Sequence, residues 1–546
     1  MTRSRWTLLS STVAALALAG AICAAPAFAV LPAVPAPPAP ADFRGGLYQG
    51  LIDGAGELNP AQVQFTASAD GGWQAQVRIA GRAEALPATV GFQGQRLTLA
   101  LPGPAGPLAC AGDVSAAAVV APADLPGCRL ELVAAQEGPL AQSLAGAWVD
   151  AQGGVYAIAR SGDSPQPIWI DYRTGAWRGL VERDGALHFG PGTATPWPEQ
   201  ATLAPKDGAL YLQASGGPKE GTRLQRLALR EQALEWQAGD AVLKGTLILP
   251  AAASAGTGTR TTRWPAVILT HMSGSGDRDA YRQFAYFFAA QGVAALIYDR
   301  RGAGQSGGDE ASAGMHRLAD DAVAAAQALG AVPQIDPARI GTFGHSQGGW
   351  VAPIAAARSD AIAFVIAQAA SGVSPAEQEL FRVEHNARDA GLDEQEIAAA
   401  VDYERRLMDW VRTGEGRDQI HALARANRDA RWARFVELRE DLPERPAARS
   451  QSFWWFDPAP DLARVRVPVL VIHGDRDGFV PVERSREIQR TAFAQAQPTF
   501  VLLPRTAHGM WTGERDSARE AMRSPGSAPE YWAQLRAWLR AQHLAQ

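Results

Sequence analysis

Cysteine is scarce in this sequence, which limits the metal and redox chemistry that the chain can support. Only three cysteines, Cys23, Cys110 and Cys128, occur among 546 residues, and none is placed for catalysis or zinc binding. The nine histidines are scattered, and no H-E-x-x-H motif is present. We therefore expect neither a metal site nor a cysteine nucleophile.

An excess of one charge is also lacking. The formal net charge is -5, and no long basic run or stripe occurs, so we expect no nucleic-acid partner. Hydrophobic residues make up 47% of the chain and charged residues 20%, which is typical of a soluble globular protein. The length allows three or four domains.

Long apolar runs are missing after the N-terminus, where one short run has the pattern of an export signal. Arg3 and Arg5 precede "LLSSTVAALALAGAICA", and "AFA" at residues 27–29 has the small-x-small pattern of a cleavage site. We predict a signal peptide over residues 1–29 and a mature chain that begins near Val30 in a periplasm or outside the cell.

The alternatives to cleavage are a membrane anchor and a lipoprotein. The apolar stretch is short and is broken by Gly20 and Pro26, and no second span of about 20 apolar residues follows. Ile22 precedes Cys23 at a position where a lipobox needs a small residue. We expect no stable membrane insertion once the signal is removed.

Two cysteines remain in the predicted mature chain. Export, an even count and the short separation of Cys110 and Cys128 within one β-patterned region favour a disulfide between them. The alternative is a pair of free buried thiols.

The first half of the mature chain is patterned as β structure. A Pro/Ala linker over residues 30–42 is followed by short period-two alternations such as "WQAQVRIAG" and "GALYLQAS". We predict two all-β modules, over residues 43–138 and 139–237, with a break near "AAQEGPLAQS".

The pattern changes in residues 238–546, where apolar strands alternate with helices. "AVILTH", "VAALIYD", "RIGTFG" and "PVLVIHG" are examples of strands with helices between them, which predicts a mostly parallel, doubly wound α/β sheet. A charged, helix-patterned insertion at about 374–460 follows the strand "AFVIAQA". We predict that this insertion forms a cap over the carboxyl edge of the sheet, where such sheets bind ligands.

Ser346 is the candidate nucleophile. It lies in "GHSQGG" (residues 344–349), a G-x-S-x-G motif between a predicted strand and a predicted helix. A strained turn of this kind needs small neighbours at Gly344 and Gly348 so that backbones can approach closely. The alternative is a glycine-rich turn that contains a serine by chance.

A serine nucleophile needs a base, and five histidines follow Ser346. His385 and His421 fall within the predicted cap, His473 ends a strand, and His543 is close to the C-terminus. The remaining one, His508, follows the last apolar strand on a loop, as the chain order Ser, Asp, His requires. His508 is therefore the predicted base.

The carboxylate that orients the base should follow the preceding strand. "VPVLVIHGDRDGFVP" offers Asp475 and Asp477. We choose Asp477 because it lies deeper in the loop, and we expect Asp475 to face solvent or cap the loop.

Acyl transfer also requires donors for the developing oxyanion. The amide of Gln347, at the start of the helix, supplies one. The loop "ILTHMSGSGDRD" should supply the second, and the Met272 amide is the candidate, with His271, Gly274 and Gly276 shaping the turn. We also expect His271 to line the substrate pocket. The alternative is a plain flexible loop.

Two further segments each allow two interpretations. "GAGQSG" (residues 302–307) fits G-x-G-x-x-G, but no helix follows at once, and we interpret it as a tight turn after a strand rather than a dinucleotide site. "FWWF" (residues 453–456) either lines an acyl pocket through Trp454 and Trp455 or attaches the cap to the sheet.

Five ordered motifs, "THMSGSGDRD", "YDRRGAGQSGG", "GHSQGG", "HGDRDGFVP" and "AHGMW", resemble the α/β-hydrolase superfamily, most closely its exported bacterial esterases and serine-aminopeptidase-like members. The resemblance covers about residues 240–546 and implies Ser346 as nucleophile, Asp477 as acid and His508 as base. Met272 stands where a glycine is usual, which puts the size of the acyl pocket in doubt.

These features predict an exported carboxylesterase that acts on small-molecule esters without a cofactor. A serine peptidase of the aminopeptidase or oligopeptidase kind is the alternative. A third hypothesis is a binding protein whose β modules bind a glycan or wall polymer and whose hydrolase half is auxiliary or inactive. The oligomeric state does not follow from the sequence.

Overall fold

The computed structural model describes residues 39–545, apart from residues 42, 55–56, 69–70, 80–84, 103–107, 116–117, 123–124, 135–137, 162–163, 193–198, 219, 252–262, 275, 311–312 and 447–451. The predicted signal peptide and most of the linker lie outside the described residues. The chain divides into two compact units between residues 136 and 137.

The first unit is a closed barrel of eight described strands, in which sequence neighbours pair antiparallel and the first strand also pairs with the last. The alternation seen in the sequence fills the barrel with side chains such as Val63, Leu97 and Leu130. The strands are Gly46–Gly54, Glu57–Ala67, Trp73–Ile79, Leu86–Gln93, Arg96–Leu101, Leu108–Ser115, Ala118–Val120 and Cys128–Ala134.

The predicted disulfide is confirmed. Cys110 and Cys128 are bonded to each other and lie opposite one another on paired parallel strands of the barrel. The alternative of two free thiols is therefore wrong.

The second unit begins with an antiparallel sheet of nine described strands, which we call the middle sheet. Its strands are Gly146–Val149, Val155–Ser161, Ser164–Asp171, Trp177–Gly179, Val181–Arg183, Ala186–Phe189, Ala201–Lys206, Ala209–Ala214 and Thr222–Arg226. A helix, Pro139–Leu144, precedes it.

The main sheet has eight described strands, and all but one run in the same direction. In spatial order they are Arg230–Ala238, Ala241–Leu249, Ala294–Tyr298, Trp264–Thr270, Ile335–His345, Phe364–Gln368, Pro468–Gly474 and Gln497–Leu503. The exception is Ala241–Leu249, the second strand from one edge, which is antiparallel to both of its neighbours. The outermost strand starts at Arg230, several residues before the boundary that the sequence suggested, because its exposed polar residues resemble those of the preceding β segment.

Helices cover the main sheet and form the cap. Those outside the cap are Arg282–Ala290, Met315–Gly330, Gln347–Arg358, Ala459–Leu462, Val482–Ala492, Ala518–Arg523 and Pro529–Ala541. Those within the predicted cap are Pro375–Asp389, Glu394–Thr413 and Arg417–Ala426, followed by a 3-10 helix, Arg431–Phe435. The three cap helices pack around a core of their own that contains Val383, Tyr403 and Trp410.

The middle sheet and the main sheet share one hydrophobic core. Ile168, Ile170 and Tyr172 of the middle sheet pack in the same cluster as Phe287 and Trp532. Tyr172 Oη also donates a hydrogen bond to the carbonyl of Gln283. The middle sheet is thus built into the unit that carries the α/β sheet. Among the described residues, no helix is long and apolar enough to cross a membrane.

Candidate active site

Ser346 occupies a strained turn at the carboxyl end of a central strand. The strand Ile335–His345 ends directly before it, and Ser346 has φ 55° and ψ -117° as the N-cap of the helix Gln347–Arg358. A Cβ atom on Gly344 would lie 1.9 Å from the carbonyl oxygen of Gly348, and one on Gly348 would lie 2.7 Å from the Thr270 carbonyl oxygen. Only glycine allows the backbones to approach this closely.

His508 and Asp477 are hydrogen-bonded to each other. His508 Nδ1 lies 2.8 Å from Asp477 Oδ2, and the Asp477 side chain is fully buried. The other carboxylate oxygen of Asp477 accepts the amides of Phe479 and Val480 at 2.9 and 2.8 Å. The carboxylate is therefore fixed by its own loop before it meets the imidazole.

Asp475 has a different environment from Asp477. Its Oδ1 accepts the Thr506 amide at 3.3 Å, so it caps the loop. His473 is buried at the end of its strand, with Nε2 2.8 Å from the carbonyl oxygen of Ala370. His385 and His421 lie on cap helices, and His543 follows the last helix.

The charges around His508 stabilise a positive charge on its ring, next to an ionised Asp477. Burial lowers the pKa of His508, but the charge and hydrogen bond of Asp477 and the charge of Asp516 outweigh it and raise the pKa. Burial raises the pKa of Asp477, but His508 and the amides of Val480 and Phe479 outweigh it and lower the pKa. An imidazolium formed at His508 would thus be stabilised.

The serine turn and the histidine loop meet through His345. His345 Nε2 donates to the carbonyl oxygen of His508 at 3.1 Å, and the two ring centroids are 5.2 Å apart. Burial lowers the pKa of His345 to about 3, so it is neutral near pH 7. Ser346 Oγ has no hydrogen bond to His508 among the described residues, a contact that often tightens only when substrate binds.

Of the two amides predicted to stabilise an oxyanion, one already donates a hydrogen bond within the protein. Gln347 is the first residue of its helix, so its N–H has no acceptor within the helix. The Met272 amide instead donates to Tyr281 Oη at 2.8 Å. The sequence could not indicate this partner, because Tyr281 lies nine residues further on in a 3-10 helix.

His271 is a buried residue with a structural hydrogen bond. Its Nε2 lies 2.6 Å from the carbonyl oxygen of Tyr298, and burial lowers its pKa to about 3. The loop beyond it is held by Arg300, whose side chain donates to Gly274 O at 2.8 Å and whose amide donates to Gly276 O at 2.9 Å.

The segment 302–307 folds as a tight turn. Gly302 N donates to Gly307 O at 2.9 Å, and Asp299 Oδ2 accepts the Gln305 amide at 2.8 Å. The next α-helix that the structure describes begins at Met315. This geometry favours the turn interpretation over a dinucleotide site. Among the described residues, no cluster of three or more His, Cys, Asp or Glu side chains could hold a metal ion.

The "FWWF" run joins the cap to the rest of the second unit. Trp454 packs against the cap core, whereas Phe453 and Phe456 pack in the cluster beneath the main sheet. Trp455 is exposed, with the Arg412 guanidinium 5.6 Å from its ring centroid. These contacts favour attachment of the cap over an acyl pocket lined by Trp454 and Trp455.

The cap contains a buried carboxylate, Glu404. It is 4% exposed on the helix Glu394–Thr413, and burial together with the charge of Glu379 raises its pKa to about 8. On the same helix, Asp402 and Asp409 form ion pairs with Arg406 and Arg412 at 2.6 and 2.7 Å.

Two residues at the site have no signal in the sequence. Phe479 is exposed, and its ring stacks on His508 with centroids 4.9 Å apart. Asp516 accepts the backbone amide of His508. Phe479 follows Asp477 closely, but nothing in its local sequence indicates the stacking.

A comparison of the sequence with protein-family models gives a match in the part of the chain that forms the main sheet. Residues 267–521, just under half of the chain, match a family model described as the alpha/beta hydrolase family. The C-terminal part of the chain therefore has the α/β-hydrolase fold, which confirms that part of the predicted architecture, and the match supports a hydrolase. No curated protein matches the chain.

Several solved structures show partial similarity. Est1E from Butyrivibrio proteoclasticus with ferulic acid bound is 17% identical over 57% of this chain and 99% of its own, with a TM-score of 0.36. A Pyrococcus furiosus esterase is 17% identical over 57% and 92%, with a TM-score of 0.36. A dienelactone hydrolase from Anabaena variabilis is 16% identical over 58% and 99%, with a TM-score of 0.33. At these TM-scores the similarities carry no argument about function.

Proposed function

Starting from the α/β-hydrolase fold of the C-terminal part, we propose that the protein is an exported serine hydrolase that cleaves carboxylic esters. The observation that carries this proposal is the hydrogen bond between His508 and Asp477, beside the strained turn that presents Ser346. A nucleophile, a base and a carboxylate that orients the base are the parts that acyl transfer to water requires.

In the proposed reaction, Ser346 Oγ attacks the ester carbonyl while His508 Nε2 accepts its proton. Asp477 holds Nδ1–H and stabilises the imidazolium. As the tetrahedral intermediate collapses, the C–O bond breaks and His508 returns the proton to the departing alkoxide. Water then attacks the acyl-enzyme by the same sequence, which releases the acid and restores Ser346.

The oxyanion would be stabilised by the amides of Gln347 and Met272. The first is oriented by the helix that it begins. The second donates to Tyr281 Oη in this structure, so substrate would have to share or displace that acceptor. The reaction requires no cofactor.

Export is supported by the disulfide, since such bonds persist in oxidising compartments. It agrees with the signal peptide that the sequence predicts at residues 1–29. The proposal covers both a periplasmic and an extracellular location of the mature protein.

A serine peptidase is the second candidate, and Glu404 is the observation in its favour. The buried carboxyl of Glu404, beside Glu379, could ionise on meeting a cation and so bind the free amine of a peptide, a device that efficient aminopeptidases need. The self-paired Asp402 and Asp409 do not offer this. The third hypothesis, a polymer-binding role for the β modules, would require the isolated barrel to be retained on a polymer in a pull-down.

The test combines labelling with turnover. Ser346→Ala should abolish turnover and labelling by a serine-directed phosphonate. Asp477→Asn should fold but lose about 10³- to 10⁴-fold in rate because the imidazole adopts the wrong tautomer. Asp475→Asn is the matched control and should keep most of the activity. An inactive Asp475→Asn with an active Asp477→Asn would contradict the assignment.

The same preparations discriminate between esterase and peptidase. An alkoxide leaves readily, whereas an amide nitrogen must be protonated as it departs. Short-chain aryl esters should therefore have kcat/KM at least about 100-fold above that of matched aminoacyl anilides, roughly 2.7 kcal/mol of transition-state stabilisation. Comparable values would favour the peptidase.

A further inference from the structure

One carboxylate oxygen joins the two loops that carry Asp477 and His508. Asp516 Oδ2 accepts the backbone N–H of His508 at 2.9 Å and the backbone N–H of Gly478 at 2.9 Å. Gly478 directly follows Asp477. The amides of the three residues after Asp477 all donate to carboxylates, the first to Asp516 and the next two to Asp477 itself.

Asp516 is held in place by its own surroundings. The Arg515 amide donates to Glu520 Oε2 at 2.9 Å, and Ser517 caps the following helix by accepting the Glu520 amide. The Arg515 side chain donates to the carbonyl of Asp389, at the end of the first cap helix, at 3.1 Å. Asp516 therefore acts as a fixed acceptor.

The fit around Asp516 is tight. A Cβ atom on Gly478 would lie 3.1 Å from the Asp516 Cβ and 3.1 Å from Asn386 Oδ1 of the cap. The loop after Asp477 is thus enclosed between the cap helix and the segment that carries Asp516, and a shift of Asp516 would displace the loop and the His508 backbone together.

We propose that Asp516 is a positioning residue for the hydrolase reaction, which holds His508 in register with Asp477 by accepting one backbone amide from each loop. The inference rests on the proposed function. Asp516 does not touch the reacting atoms, and it acts on catalysis through His508. Its negative charge, which faces His508 together with that of Asp477, also favours the imidazolium, as the raised pKa of His508 reflects.

The test separates hydrogen bonding from charge. Asp516→Ala removes the acceptor of both amides and should lower kcat at least about 10-fold with little change in KM, since small misplacements of catalytic groups are costly. Asp516→Asn keeps an oxygen that can accept both amides and should stay within about three-fold of wild-type kcat. Glu514→Gln, an exposed carboxylate paired with Arg505, is the matched control.

The pH profile provides a readout that a merely structural role would not move. In Asp516→Asn the acid limb of kcat/KM should shift to lower pH, because a charge that raises the pKa of His508 has been removed. If Asp516→Ala does not fold, the shift of the acid limb in Asp516→Asn tests the inference by itself. Wild-type kcat in a folded Asp516→Ala, equal losses in both variants, or an unshifted limb would overturn the inference.

The labelling experiment distinguishes the two proposals. If the phosphonate does not label Ser346 in the wild-type protein, the proposed function itself fails. If Ser346 is labelled and Asp516→Ala turns over ester as Glu514→Gln does, only the role of Asp516 is rejected.

Discussion

Glu404, in the cap, is buried in surroundings that disfavour the ionised form of its carboxyl group. Its side chain has no hydrogen-bond or ion-pair partner among the described residues. Glu379 and Glu437 add negative charge nearby, and only Arg382 and Arg439 offset it. The carboxyl is therefore protonated in the folded protein at pH values where it is ionised in the unfolded chain.

The sign of the pH dependence follows from this. The pKa of Glu404 is raised from 4.5 to about 8 on folding, so the folded state binds more protons between these values and stability falls as pH rises. Glu404→Gln should remove that loss and raise stability at pH 9 by on the order of 5 kcal/mol, with little effect below pH 4.5. Thermal unfolding across this range measures it.

Asp402→Asn is the matched control for Glu404→Gln. It lies on the same helix but is exposed and paired with Arg406. Its effect on stability should be small and should not increase from pH 5 to pH 9. Identical pH profiles for the two variants would show that burial of Glu404 has no energetic consequence.

Sequence reasoning at the scale of residues works where a local pattern carries the information. His508 is chosen among five histidines from strand order, and Asp477 is preferred to Asp475 because it lies deeper in the loop. The structure places these two side chains at hydrogen-bonding distance. The sequence could not indicate the role of Asp516 or the hydrogen bond between Tyr281 and Met272. Both are bonds from a backbone amide to a side chain, and neither residue type nor spacing predicts which side chain accepts such a bond.

Among the larger elements, the middle sheet supports the segment that follows His508. Trp177 N donates to Pro525 O and Ser527 N donates to Gly175 O, both at 3.0 Å. The same segment is bonded back toward the histidine loop, since Ala528 N donates to Met510 O at 2.8 Å. The middle sheet is thus bonded to a segment that is itself bonded to the loop after His508. We therefore expect it to help position His508, although it lies outside the residues that match the family model.

Gly175→Ala tests this support. Gly175 has φ +78°, and a Cβ there would lie 2.7 Å from the carbonyl oxygen of Ser527. The substitution should push the segment around Ser527 away and lower kcat for ester hydrolysis about 10-fold. Steady-state kinetics on the proposed ester substrates measures the effect.

Gly153→Ala is the control, because Gly153 has φ +82° but a Cβ there would meet nothing within 4 Å. Both variants have backbone strain of roughly 1–2 kcal/mol. Only the Cβ at position 175 contacts the segment after His508. Equal kcat in the two would mean that the contact does not support the site.

Periodicity predicted the strands of the middle sheet but not where the sheet packs. A period-two pattern shows which face of a strand is buried, and it does not identify the covering element. Ile168 and Ile170 are buried against helices more than 100 residues further along the chain. The same limit applies to "FWWF", whose composition suits both an acyl pocket and an attachment point.

For the molecule as a whole, the disulfide and the candidate active site belong to different compact units. The barrel closes around its own core with the bond between Cys110 and Cys128, and the candidate residues Ser346, Asp477 and His508 lie in the second unit. Composition and the change of pattern along the chain predicted this order of β and α/β regions. They could not predict that the middle sheet belongs to the second unit, because that depends on contacts distant in sequence.

This division predicts separate responses to loss of the disulfide. The bond closes a loop with a sequence separation of 18, so Cys110→Ser with Cys128→Ser should destabilise the barrel by about 3 kcal/mol in the chain-entropy model. Calorimetry should show one transition moving to lower temperature, while the transition that abolishes ester hydrolysis and the kcat at 25 °C stay unchanged. A parallel shift of both transitions, or a loss of activity in the folded double variant, would show that the barrel and the second unit are energetically coupled.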